Sequence, residues 1–365
     1  MINFSFFPSR QLAWYMVRLF VTRSIAVLLA LILILMTLDL LGEAGKILAV
    51  PGNTDADLWR YVALRLPILV SRFLPFSVLL GTLIAFVGLN QSSEVVAMKA
   101  AGLSAHQILA PLIVASIVVA AGLFAFNEAV VVNSTRVVTA WMDNHYKPVP
   151  QASGILGNVW VLNGDDLIHA GIVGGQPFTA QDVTIYDREG GALHRVIHAA
   201  RALPNRGGKD WQLRDVRVYD ADMSVVRTQP AMTAMGGVTA NQLTLAKVDP
   251  TELDYWTLRE RTRELEAGGR PVDEARAGLA HKISGPLSTL LMPLLAAIAA
   301  FGLARSGQVL MRAVMGMALG FAYFVADNFS LAMGNAGTYP PVIAAWAPFF
   351  LFLLIGETVL IRTEE

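Results

Sequence analysis

Cysteine is absent from the 365 residues, which excludes disulfides, thiol catalysis and cysteine-held metal. Charge is scarce as well: Asp, Glu, Lys and Arg make up 15% of the chain, where an ordinary soluble domain carries about a quarter. The 28 basic and 28 acidic residues cancel, so no chain-wide positive field exists to recruit nucleic acid. A phosphate loop is missing, because Gly45-Lys46 and Gly208-Lys209 lack both the upstream glycine and the following Ser or Thr. No H-E-x-x-H pair or G-x-S-x-G elbow occurs, and the six histidines do not cluster into a ligand set. A catalytic residue, a metal or a cofactor is therefore not expected in this chain.

Apolar length is what the chain has in excess. It is 55% hydrophobic, with a mean hydropathy of +0.52. A bilayer core demands about 20 mostly apolar residues per helix, because every backbone polar group must be satisfied within the segment. Six stretches meet the demand, at about 25–41, 68–89, 109–126, 283–303, 313–333 and 342–361. The first runs on past the ~7 to 15 apolar residues of a secretion signal, with no A-x-A-like site after it, so it is expected to remain. An even number of spans puts both termini on one side. Arg10, Arg18, Arg23, Lys99, Arg305, Arg312 and Arg362 fall there, against Lys46, Arg60 and Arg65 opposite. The positive-inside rule then predicts cytoplasmic termini and an extracytoplasmic segment between the third and fourth spans.

In that segment the period changes from helical to alternating. Val159 to Leu162, Asp182 to Tyr186, Arg195 to His198, Trp211 to Leu213 and Val216 to Tyr219 read as short strands. Turn residues at Asn163-Gly164-Asp165, Asp187 to Gly191 and Asn205 to Gly208 separate them. The expectation is a membrane α-helical protein, three spans and three, around an all-β insert built as a sandwich, jelly roll or curved antiparallel sheet. Boundaries are placed at 1–131 for the first bundle, 132–251 for the β domain, 252–281 for an amphipathic connector broken by Gly268-Gly269, and 282–365 for the second bundle.

Between the second and third spans, residues 92–104 form one short helix by their grammar. Ser92 or Ser93 can cap it, Glu94 suits its first turn and Gly102 can end it. An ordinary interhelical turn would read the same way. A coupling helix, with Val95, Val96 and Met98 offered to a cytoplasmic ATPase, is the functional alternative.

Ser93-Glu94, Met98, Ala100, Gly102 and Ser104 resemble the S-E-x-x-V/A-M-x-A-x-G-x-S signature of the lipopolysaccharide-export permeases. Val248-Asp249-Pro250, Gly285-Pro286-Leu287-Ser288, Gly320-Phe321 with Asp327, and Tyr339 to Ile343 resemble the G-type subunit more than the F-type. The resemblance implies an inner-membrane permease paired with an F-type subunit and driven by a cytoplasmic ATPase dimer. It implies a single-helix accessory subunit, and passage of lipopolysaccharide from the outer leaflet to a periplasmic bridge by way of jelly-roll domains. The residues implied to couple to the ATPase are Ser93, Glu94, Val95, Val96, Met98, Ala101 and Gly102. A permease for lipoproteins or drugs, and an envelope-assembly scaffold that transports nothing, are the alternatives.

Lipid phosphates need cations near the outer boundary, Arg as a bidentate donor and Lys as a point charge. Lys46, Arg65, Arg72 and Arg136 are the candidates, and Arg72 lies inside the second span, where a cation must snorkel, pair or line a cavity. The family's first helix carries a lysine cluster near its outer end; here Leu40-Leu41-Gly42-Glu43 takes most of that region and Lys46 remains. The acids of the spans are Asp39, Glu128 and Asp327. The first two are expected to partner nearby cations. Asp327 is expected either to make an interhelical hydrogen bond or to pair with a partner's basic residue at a gate.

Overall fold

The structure is a computed structural model that describes residues 8–147, 156–174, 178–205, 210–220, 225–240, 243, 248–267, 271–301 and 309–362. Its helices are α1 (Arg10–Leu48), α2 (Asp55–Gln91), α3 (Glu94–Ala100), α4 (Ala105–Phe126), α5 (Val132–Asp143), α6 (Tyr255–Ala267), α7 (Asp273–Phe301), α8 (Val309–Asn335) and α9 (Pro341–Arg362). A π-turn, Asn127–Val131, joins α4 to α5. Among the described residues five helices are long and apolar enough to cross a bilayer: Arg10–Leu48, Asp55–Gln91, Ala105–Asp143, Val314–Asn335 and Pro341–Arg362. The span expected at 283–303 coincides with α7 as far as Phe301, and its last two residues lie outside those described. Residues 206–208, Gly268-Gly269 and Arg305 also lie outside them, as does the side chain of Arg312.

The chain divides into two compact units: residues 1–39, 66–131 and 266–365 form one, and residues 40–65 and 132–265 the other. The first is helical. Its core joins Phe20 of α1, Leu79 and Phe86 of α2, Leu109 of α4, Leu295 of α7, Tyr323 of α8 and Phe352 of α9. Small residues let backbones approach closely. A Cβ on Gly81 would stand 2.5 Å from Ser24 Oγ and 2.6 Å from Ser24 Cα, so α1 and α2 cross here with no room for a side chain.

The second unit holds a six-stranded antiparallel sheet: β1 (Leu156–Asn163), β2 (Asp166–Gly174), β3 (Thr179–Glu189), β4 (Ala192–Pro204), β5 (Trp211–Asp220) and β6 (Val225–Ala234). Each strand pairs with its sequence neighbour, so the described sheet is an up-and-down meander. Gly164 (φ +65°) and Gly190-Gly191 (φ +60° and +83°) make the two tight hairpins. Val159, Val183, Ala199, Trp211 and Val216 line the buried face, and Trp211 Nε1 donates to the Val238 carbonyl at 2.7 Å.

A crease crosses this sheet. Asn158, Asp182 and Asp215 each have φ between +51° and +56°, and the register sets them in one row with Gly171, Ala200 and Pro230 between or beside them. Asn and Asp tolerate the left-handed region better than other side chains. At this row the inward positions change from a spacing of two to a spacing of three: Ile197, Ala199 and Ala202 on β4, and Leu213 and Val216 on β5.

The helix-end part of the same unit is tied by Tyr146. Its hydroxyl donates to Glu43 Oε2 at 2.6 Å, and its carbonyl accepts from Trp141 Nε1 at 2.9 Å and Asn53 Nδ2 at 3.0 Å. The Arg60 guanidinium lies 5.0 Å from the Trp141 ring centre, within cation–π range.

Candidate coupling segment and lipid-facing charges

The segment 92–104 is a seven-residue helix between two built turns. Ser92 Oγ donates to Glu94 Oε1 at 2.8 Å, and Tyr15 of α1 hydrogen-bonds the Glu94 side chain. Ser93 stands at the N-cap position with φ +59°, and its hydroxyl makes no capping bond. At the other end Gly102 has φ +86°. Its N–H donates to the Lys99 carbonyl at 2.9 Å, and the Leu103 N–H donates to Met98 at 3.1 Å. That pair of bonds is the Schellman motif, which glycine at this position makes possible. Ser104 then opens α4 with a reciprocal capping box to Gln107.

Burial divides the expected coupling residues. Val95 and Met98 are 4% and 8% exposed and belong to the helical unit's core. They seat α3 on its own chain, and are not offered to an outside groove as the sequence reading had them. Val96 is 64% exposed, with Ala97, Lys99, Ala100 and Ala101 beside it on the outer surface, and Glu94 is half-buried.

Among the cations, Lys46 pairs with Glu43 at 2.8 Å, an acid one turn before it on α1. Arg136 Nε donates to the Glu252 carbonyl at 3.2 Å. Arg65 is half-buried and Arg72 exposed. Asp39 is half-buried on α1. The carboxylate of Glu128, on the π-turn, meets Lys282 Nζ of α7 at 2.9 Å, with both side chains mostly enclosed. Asp327 of α8 has His281 Nε2 at 3.9 Å, a basic neighbour from its own chain. Lys282 and His281 were not singled out in the sequence. Their signal was there, two ionisable residues in a row at the mouth of an apolar span.

Apolar helices sufficient to cross a bilayer several times, interrupted in the sequence by an antiparallel sheet unit, define a multi-pass membrane protein. The chain belongs to the family described as lipopolysaccharide export system permease LptF/LptG, which matches residues 14–362. It is 27% identical over 335 residues to the lipopolysaccharide export system permease protein LptG of Escherichia coli strain K12, covering 89% of each chain. It is 25% identical over 334 residues to the protein of the same description from Haemophilus influenzae, covering 86% of this chain and 89% of that one. The chain is thus a lipopolysaccharide-export permease subunit of the inner membrane.

Proposed function

We propose that this chain is the G-type half of a permease pair with six spans, α7 being the fourth, and with its termini in the cytoplasm and its sheet unit in the periplasm. ATP is hydrolysed by a separate cytoplasmic dimer. The permease pair, with an F-type subunit and a single-helix accessory protein, lifts lipopolysaccharide from the outer leaflet and passes it to a periplasmic bridge. The observation that carries this reading is the seating of α3. Its exposed face is short, and behind it Val95 and Met98 are embedded in the same core as α1, α2, α7, α8 and α9. Because cores are close-packed, a push on the face reaches those helices without slack.

Glu94→Arg and Gly102→Pro test it. The first reverses the charge beside Ser92 and Tyr15, and the second forbids φ +86° and removes the N–H that bonds Lys99. Both variants are expected to insert in the membrane and assemble, and to lose lipid-dependent ATP hydrolysis in reconstituted exporter. Wild-type transport rates in both would remove the coupling role. Copurification in mild detergent separates the alternatives, since a scaffold would emerge without an ATPase and a different exporter would release another cargo.

A further inference from the structure

A polar belt runs through the helical unit at one level, built from two pairs of consecutive residues. On the π-turn, Asn127 takes the Ser71 hydroxyl of α2 at 2.5 Å, and the next residue, Glu128, takes Lys282 Nζ of α7 at 2.9 Å. The residue before Lys282 is His281, 3.9 Å from Asp327 of α8. Four helical segments therefore meet through side chains adjacent in sequence, and Arg72 stands exposed beside Ser71. A π-turn adds one residue to a helix and is frequent at functional sites. An ion pair in an apolar span gains little stability over packed hydrophobic side chains, and intramembrane charges usually mark a substrate path.

We propose that Lys282 is a phosphate ligand for the transported lipid, held in reserve by Glu128, and that an arriving phosphate takes the place of the carboxylate. This rests on the permease reading above. Lys282 is 12% and Glu128 17% exposed at the side chain, and the adjoining Ile283 and Ala129 are exposed, so the pair can be reached from outside the core. A carboxylate and a phosphate offer Lys the same charge-assisted bond, the phosphate with more charge and more acceptors. Exchange keeps the ammonium paired throughout, and the displaced carboxylate is the group that gives up its partner beside an arriving anion, which is why removing it is expected to favour the phosphate.

The test uses the assembled exporter in nanodiscs, with binding measured for three probes: lipopolysaccharide, its dephosphorylated form and phosphatidylglycerol. Glu128→Gln removes the competitor. It is expected to raise lipopolysaccharide affinity about tenfold, equivalent to the loss of one modest charge-assisted partner, and to leave the dephosphorylated form unchanged. Lys282→Gln is expected to lower the affinity, and the double variant to match Lys282→Gln. If Glu128 and Lys282 served only as a structural strut, Glu128→Gln would weaken binding or leave it unaltered, and the proposal would fall. An equal gain for phosphatidylglycerol assigns the site to phospholipid and overturns the assignment to cargo. In case Glu128→Gln does not assemble, a photo-crosslinking residue at Ile283 in an otherwise wild-type chain should form an adduct with lipopolysaccharide, and its absence is equally fatal. Failure of the wild-type exporter to bind lipopolysaccharide at all would instead sink the permease reading.

Discussion

Replacing Gly81 by alanine should unseat α1 from α2. The new Cβ would lie 2.5 Å from Ser24 Oγ and 2.6 Å from both the Cα and the backbone N of Ser24, where carbon contacts settle at about 3.5 to 4.0 Å. A rotamer change can move the hydroxyl but not the backbone, so the helix axes must part by roughly 1 Å. Overpacking of this kind costs about 1 to 3 kcal/mol, and the better helix propensity of alanine returns at most about 1 kcal/mol. Gly88 is the internal control, a glycine of the same helix with no heavy atom within 4 Å of its ideal Cβ. Gly88→Ala should therefore gain the propensity term alone. Unfolding free energies of the two variants in mild detergent should differ in sign, Gly81→Ala below wild type and Gly88→Ala at or above it. Adding Ser24→Gly should restore only part of the loss, because two of the three close atoms are main chain. A Gly81→Ala protein as stable as Gly88→Ala would refute the idea that these two helices touch backbone to backbone.

Two further substitutions probe the second unit. Asp254 caps α6, accepting from the N–H groups of Trp256 at 3.1 Å and Thr257 at 3.0 Å. Burial alone would raise its pKa, but the bonds from Thr257 and the backbone outweigh burial and hold it below 3.8. Its stabilisation is thus complete above pH 3.8 and is lost as pH falls through the depressed value. Asp254→Ala should cost about 1 kcal/mol at neutral pH, and the difference from wild type should close in strong acid, as read from unfolding midpoints across pH. At Asp215, with φ +56°, valine should cost about 1 to 2 kcal/mol and glycine much less, so equal unfolding midpoints for the two variants would remove the strain argument.

The membrane helices were legible because a bilayer imposes a single rule of length and apolarity on each. Details of the sheet were hidden by the crease. Trp211 to Leu213 and Val216 to Tyr219 read as two strands because the inward phase slips at Asp215, yet β5 runs unbroken from Trp211 to Asp220. β2 and β6 went unread for a different reason. Ile168, Ala170 and Val173 break the period of two across Gly171, and Pro230 lies within β6, where proline argues against a strand. In the segment 92–104 the turn residues were readable, whereas the direction of each side chain was not. Val95, Val96 and Met98 are alike in chemistry, and only the packing of α3 on its neighbours separates the anchors from the free face. The Glu128 to Lys282 bond joins residues 154 apart, a pairing no local pattern announces.

The five residues Asn127–Val131 act as a phase shifter. With 3.6 residues to a turn, one added residue swings everything after it by about 100° around the rod. Within this turn Asn127 accepts from Ser71 of α2 and the next residue, Glu128, meets Lys282 of α7. Excising Asn127 would carry Glu128 round to face Ser71 and take it off Lys282, while α4 kept its own packing.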